Sequence, residues 1–418
     1  MSSPLQEPIF DVVIGGGGLV GAALALALAH LDLRVALLEG TPFDDREQPS
    51  FDERTTAISN GTRRAFEALG VWARIERDAT PIRRIHVSDR GRFGFARLDA
   101  RELGLDALGY VITNRVMGAG LWGCLAETAV QLISPAHIVG MEAMEGARRV
   151  HYRAEGEATR TIDARLVVAA DGARSILRES AGIRASTWDY EQVALIANVF
   201  PQRFHDYVAY ERFTETGPLA LMPLSGGRMG LIWTLTKTQV DEMDRCADAE
   251  FLARLQDAFG FRLGRFTRVG TRYRYPLALT RAGDYVAERF AVVGNAAQAL
   301  HPIAGQGFNL GLRDAASLAE VLADAQQETG GQFDPGDGLW LERYRLWREA
   351  DQANIVRFTD GLVRLFTQPL GPVKLLRNLG MLAFDLMPFA KEALSRLSLG
   401  AASRVPRLTR GAPLKHAH

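Results

Sequence analysis

The chain has 418 residues, enough for two or three hydrophobic cores, and its 47% hydrophobic and 23% charged residues are those of a folded globular protein, which excludes disorder as its organising principle. Lys plus Arg and Asp plus Glu number 49 each, so the formal net charge is zero and no overall field favours nucleic acid. The two cysteines, Cys124 and Cys246, match neither a disulfide framework nor a metal-ligand spacing, and no export signal is visible, which predicts a protein of the reducing cytoplasm.

The run Val12 to Ala29 is uncharged and long enough to suggest a membrane span, but four consecutive glycines near its start would each weaken a helix by about 1 kcal/mol relative to alanine. It reads better as a buried strand Asp11 to Ile14, a glycine turn, a helix Gly21 to His30 and a second strand Arg34 to Leu38 that ends at Glu39. A polar loop, Gly40 to Arg54, leads into a predicted helix from Ser59 to Leu69. Ile85 to Leu98 predicts a hairpin turning at Asp89, Arg90 and Gly91, outside the nucleotide-binding sheet. Leu121 to Val130 reads as a helix, and Leu166 to Ala170 as an apolar strand ending in Asp171 and Gly172.

From Val193 to Tyr275 the pattern is rich in strands, clearest at Leu219 to Met222 and Gly230 to Leu235, with one helix at Ala247 to Phe259. Ala291 to Gly294 returns to the buried-strand pattern, Gly305 to Leu322 reads as a helix entered through glycine, and a turn-rich stretch from Gly330 to Gly338 precedes a helical tail. The predicted domains are therefore 1–185, which lends its hairpin near 84–99 to the next domain, then 186–275, a resumption of the first domain over 276–335, and the helical region 336–418.

Gly16, Gly18 and Gly21 form GxGxxG between a strand and a helix, with Glu39 closing the following strand. Gly16 permits the tight turn, Gly18 lets a pyrophosphate approach the backbone, and Gly21 lets the helix pack closely. Glu39 can accept bonds from both ribose hydroxyls, and its charge repels a 2′-phosphate, so the site suits adenosine diphosphate ligands such as FAD or NAD. A glycine-rich turn without a ligand is the alternative.

Two later segments separate FAD from NAD. Asp171, Gly172, Ser175 and Arg178 lie in AADGARSILRESAG, and Val292 to Ala315 reads VVGNAAQALHPIAGQGFNLGLRDA. With the N-terminal fingerprint these resemble, over almost the whole chain, the three-motif signature of the aromatic hydroxylase family of flavoprotein monooxygenases. The wording of the late motif, with His86 to Gly91, Ala194 to Val199, Tyr210 to Pro223 and Tyr275 to Thr280, is similar to the 2-polyprenyl-6-methoxyphenol hydroxylases of bacterial ubiquinone biosynthesis.

The resemblance implies an α/β fold: a Rossmann-like three-layer FAD-binding domain with an inserted strand-rich substrate domain and a helical C-terminal region. It implies FAD as cofactor, NAD(P)H as reductant, and dioxygen and a polyprenylated phenol as substrates, the ring being hydroxylated para to its hydroxyl through a flavin hydroperoxide. Asp171, Gly172 and Arg178 would lie near the dinucleotide. Gly294 and Asn295 would meet the ribityl chain; the family usually has aspartate at the second position, and histidine where Gln298 stands, but an asparagine amide still bonds a hydroxyl. Gly305 and Gly307 would bring backbone amides to the flavin. Asn309 and Asp314 have capping or surface roles as alternatives, and Arg54 and Arg115 are either FAD contacts or surface ion-pair partners. His301 invites a general-base reading, yet a structural role is the plainer one, so no catalytic residue is assigned.

Hydroxylation at another ring carbon, or a non-catalytic FAD-binding scaffold inside a biosynthetic assembly, remain as alternatives. A halogenase would show WxWxIP, whereas Trp233 stands alone. In the tail, Leu362, Leu365, Phe366, Leu370, Val373, Leu376, Leu379, Leu382 and Phe384 recur near helical spacing with Arg364, Lys374, Arg377 and Lys391 between them. Such a helix lies on anionic lipid at the inner face of the membrane, or packs on its own domain or on a second subunit in a homo-oligomer.

Overall fold

The computed structural model describes residues 9–42, 54–91, 95–299, 306–351 and 404–414. Strand β1 (Phe10–Gly15) and strand β2 (Val35–Leu38) are apolar on both faces, and Val12, Val13, Ile14 and the whole of β2 are buried, as in a parallel sheet covered on both sides. Helix α1 (Leu19–Leu28) joins them and is buried from Gly21 to Leu28, because it packs against helix Asn114–Leu125 and the long helix Gln306–Glu328 as well as the sheet.

The sheet runs Val286–Ala287, Phe290–Val292, Arg160–Ala169, β1, β2, Gln131–Ile133. All of these pair in parallel except the edge strand Val286–Ala287. The chain moves from β1 to β2 and outward, then returns on the other side of β1, so the order reverses between β1 and Arg160–Ala169. A crevice opens at the carboxyl ends of strands at such a reversal. The antiparallel strands His137–Met144 and Ala147–Arg153 extend from Arg160–Ala169 and add Met141 and Val150 to the same core.

A second sheet runs Gln298–Ala299, Tyr273–Ala282, Ala185–Pro201, Met229–Thr236, Gly217–Pro223, Val208–Thr214, Arg84–Asp89, Phe95–Asp99. Its side chains alternate. Leu195, Leu219, Leu221, Leu231 and Trp233 form one core with helices Lys237–Arg245 and Asp248–Phe259. Ala194, Ile196, Ile232 and Tyr275 face the other way, a grouping that follows from the direct pairings Ala194 with Tyr275 and Ile196 with Ile232. The hairpin Arg84–Asp89 and Phe95–Asp99 pairs in parallel with Val208–Thr214, so it belongs to this sheet.

Several predicted elements shift. The one helix expected within the strand-rich region, Ala247 to Phe259, is preceded by a second, Lys237–Arg245, which Thr236 and Gln239 start with a capping box. The first helix spans Leu19–Leu28 in place of Gly21 to His30, and the strand expected over Leu166 to Ala170 spans Arg160–Ala169. The helix expected over Leu121 to Val130 spans Asn114–Leu125. Its glycines obscured the helical pattern, and one of them is required, since a Cβ at Gly120 would lie 2.5 Å from the Ile75 side chain. Helix α2 (Asn60–Ala68) begins one residue later than expected because Ser59 is its cap, accepting a bond from the Thr62 N–H; the residues before it, Thr55–Ser59, form a strand of a small third sheet. The long helix runs on to Glu328.

Residues 338–351 are helical and bury Tyr344, Arg348 and Asp351. His301, Pro302 and Gly305, and the amphipathic stretch from Leu362 to Lys391, lie outside the described residues. Among the described residues no helix is long and apolar enough to cross a membrane.

Candidate active site

A cavity of about 770 Å³ lies at the reversal point, walled on one side by the turn after β1 and on the other by the second sheet. The turn is a backbone surface. Gly16 sits at φ +99°, and a Cβ there would lie 2.6 Å from the Ala170 carbonyl oxygen; at Gly21 it would lie 1.9 Å from the Gly16 oxygen. The Gly17 N–H donates to Glu39 Oε2 at 2.6 Å, and the Trp122 indole donates to the Gly17 carbonyl at 3.2 Å. The sequence reading gave Glu39 to ribose alone. In the structure its Oε1 also accepts from the Thr41 N–H at 2.9 Å, so Glu39 shapes the turn with one lone pair on each oxygen and keeps further capacity for a ligand.

Across the crevice, Gly172 is left-handed at φ +86° and Asp171 Oδ2 accepts from the Leu177 N–H at 3.2 Å. Asp171 Oδ1 is buried with no hydrogen-bond partner. Burial pushes this carboxyl up, and bonds from Ser175 and Leu177 offset only part of that. Arg178 does not reach the cavity; it is buried and donates to the carbonyls of Ala296 at 2.8 Å and Ala173 at 3.0 Å, which ties the DG turn to the late motif. Arg174, unmarked by the sequence reading, lines the cavity instead.

The late motif turns at Gly294, φ +60°, whose N–H donates to Asp314 Oδ2 at 2.9 Å. Asp314 in turn accepts from Arg348 Nε at 2.7 Å, Arg348 pairs with Asp351 at 2.5 Å, and Asp351 with Arg313 at 2.8 Å, all of them buried. Burial opposes the charge on Arg348, but the carboxylates of Asp314 and Asp351 outweigh it and raise its pKa. Asp314 is thus a positioning residue for the turn. Asn295 and Gly307 line the cavity, whereas the Asn309 amide is engaged elsewhere: its oxygen accepts from the Ser59 N–H and the Thr62 hydroxyl, and its nitrogen donates to the Ala57 carbonyl.

Arg54 lines the cavity with its guanidinium 4.7 Å from the centre of the Tyr275 ring, joining the two walls. Arg115 is exposed and off the lining; its neighbour Asn114 lines the cavity and accepts from the Thr56 hydroxyl at 2.7 Å. Thus Gly16, Gly18, Glu39, Arg54, Asp171, Gly172, Asn295 and Gly307 share one cavity, with Gly21 and Gly294 packed behind it. The facing wall is apolar, from Ala194, Ile196, Ile232 and Leu277.

A family model described as FAD binding domain matches residues 10–344. A protein named ubiquinone hydroxylase UbiL from Rhodospirillum rubrum is 37% identical, over 98% of this chain and 94% of its own. The 3-demethoxyubiquinol 3-hydroxylase of Escherichia coli is 32% identical, over 93% and 98% respectively. The chain belongs to the FAD-dependent hydroxylase family. This family includes hydroxylases of ubiquinone biosynthesis, and its flavoprotein members use FAD with NAD(P)H as reductant. The p-nitrophenol 4-monooxygenase PnpA of Pseudomonas putida shares the fold, with a TM-score of 0.79 at 19% identity over 96% of this chain and all of that one. The α/β architecture inferred from the sequence is the architecture of this family.

The cavity suits FAD on its own evidence. The turn leaves no room for a Cβ at Gly16 or Gly21, Asp171 Oδ1 is a buried acceptor without a donor, and the long helix starts beside the same space.

Proposed function

We propose that this chain hydroxylates the ring of a prenylated phenol in ubiquinone biosynthesis, para to the existing hydroxyl. The observation that carries the reading is one cavity with two unlike walls: a glycine-built dinucleotide turn, and an apolar sheet face. Bound FAD supplies acceptance of hydride from NAD(P)H and activation of dioxygen. The protein's task is placement. The backbone amide at Gly18 would hold the pyrophosphate, while the Gly16 N–H is held by the Leu38 carbonyl at 2.8 Å and fixes the turn; Glu39 would hold the ribose, Asn295 and Asp171 the hydroxyl-bearing chain, and the Gly307 amide the ring edge. Ala194, Ile196, Ile232 and Leu277 would hold the substrate ring and exclude water, which would otherwise divert reduced oxygen to hydrogen peroxide.

A second reading places the new hydroxyl at another ring carbon. It is favoured by the Escherichia coli relative, whose name specifies position 3. Oxygen-dependent NAD(P)H consumption with a short-chain 2-prenyl-6-methoxyphenol, followed by mass and NMR analysis of the product, decides between them. A para-hydroxylated product coupled to the reductant establishes the first reading. Another position establishes the second. Peroxide without product, with every prenylated phenol tried, defeats both.

A further inference from the structure

Outside the cavity lining, the loop 202–207 and the loop 261–265 are bonded backbone to backbone: the Gln202 N–H donates to the Arg265 carbonyl at 2.7 Å and the Arg203 N–H to the Leu263 carbonyl at 3.0 Å. Phe204 is 53% exposed and Phe261 65% exposed, the latter the most exposed large apolar side chain described. These loops carry Arg203, Arg262 and Arg265 against a single acid, Asp206, and Arg83 adds a further cation, its guanidinium 4.6 Å from the centre of the Tyr207 ring. Elsewhere on the same sheet Arg272 and Arg274 are each paired with aspartates, Asp248 for the first and Asp241 and Asp244 for the second. Arg203, Arg262 and Arg265 have no ion pair among the described residues.

The aromatic presentation is fixed. His205 is buried; its Nδ1 accepts from the Tyr207 N–H at 3.1 Å, and its Nε2 donates to the Leu224 carbonyl at 3.0 Å. Burial lowers the His205 pKa, consistent with that neutral tautomer. Phe204 stacks on this ring at 4.3 Å and meets Tyr207 edge-on at 5.6 Å. Asp206 and Tyr207 hold φ of +47° and +59°, a left-handed conformation that non-glycine residues rarely adopt.

We infer that this corner, Phe204 and Phe261 ringed by Arg203, Arg262 and Arg265, docks on an anionic lipid bilayer. Exposed aromatic rings enter the interface between headgroups and acyl chains, and each unpaired arginine meets anionic headgroups. Two copies of the corner would repel one another, which counts against a symmetric contact between chains. The inference goes beyond the proposed reaction and stands without it, because it is read without turnover.

The test is co-sedimentation of the full-length flavin-loaded protein with phosphatidylcholine vesicles, with and without phosphatidylglycerol. The wild type binds the anionic vesicles and releases them with salt. The triple variant Arg203→Gln, Arg262→Gln, Arg265→Gln loses about a hundredfold in partition, at roughly one decade or less per arginine. Phe204→Ser with Phe261→Ser weakens binding to the same vesicles, while both variants keep their flavin and their turnover of a water-soluble phenol. Undiminished vesicle binding by both variants places the membrane contact elsewhere and overturns the inference. So does a wild type that ignores anionic vesicles, including one that binds an acidic protein instead.

Discussion

The two large sheets build the cavity by opposite means. On the first sheet the working surface is main chain: Gly16 and Gly172 at positive φ, and amide groups whose positions are set by Glu39, Trp122 and Asp314. On the second it is side chain: Ile196, Ile232 and Leu277 project from an amphipathic sheet whose other face is a core of its own. Main-chain surfaces recognise what all dinucleotides share, and they tolerate little change. Side-chain surfaces can be reshaped one residue at a time without moving the strands, so we propose that substrate choice resides in the second sheet.

The largest expected effect breaks the first wall from behind. Arg348→Met leaves Asp314 buried without its ion-pair partner and Asp351 with Arg313 alone, which costs about 3–5 kcal/mol and unhooks the Gly294 turn. Thermal unfolding should show a large fall in Tm together with weakened flavin retention. Next, Gly16→Val combines overpacking against Ala170 with a disfavoured φ, about 2–4 kcal/mol in all, or about thirtyfold to nearly a thousandfold in flavin affinity. The ratio of flavin to protein absorbance after gel filtration reads it directly.

A change on the second wall should separate the two functions. Ile232→Ala removes apolar contact from the facing wall and should lower kcat/KM for a prenylated phenol by about tenfold, roughly 1.4 kcal/mol, while leaving flavin content unchanged. If flavin is lost in parallel, the division of labour between the sheets is wrong.

The smallest effect is a pH dependence from Glu211. Paired in register with Val87 and Ala220, it has its carboxyl pKa raised to about 7 by burial alone. A carboxyl that keeps its proton longer when folded than when unfolded costs stability once pH rises above its unfolded value near 4.5, and the full cost is reached above about 7. Glu211→Gln should therefore gain about 1–2 kcal/mol at pH 8, after allowance for partial exposure, and almost nothing at pH 4. Equal gains at both values would mean that the effect is not protonation.

The contrast also explains what the sequence could reveal. β1, its glycine turn and Glu39 are contiguous, and glycine spacing reports backbone geometry directly, so this wall was legible before any coordinates. The strand-rich pattern over Val193 to Tyr275 predicts a sheet, but it does not say which face meets the cavity, so Ile196 and Ile232 carry no mark as site residues. Trp122 and Arg174 were missed because a single indole or guanidinium near a motif has no periodic signature. Arg178 sits inside a recognisable motif yet spends its donors on carbonyls, a role that depends on where Ala296 lies in space. The long-range clasp of Asp314 by Arg348 has no local signal either.

That clasp governs when the protein can be finished. Its anchor, Arg348, holds the Gly294 turn through Asp314, and Tyr344 donates to the Val292 carbonyl at 2.8 Å, while β1 lies near the opposite end of the chain. During synthesis the glycine cradle emerges early, but its opposite rim cannot be locked until more than three hundred further residues have left the ribosome. A nascent chain stalled before Arg348 would hold both sheets but lack the clasp on the Gly294 turn.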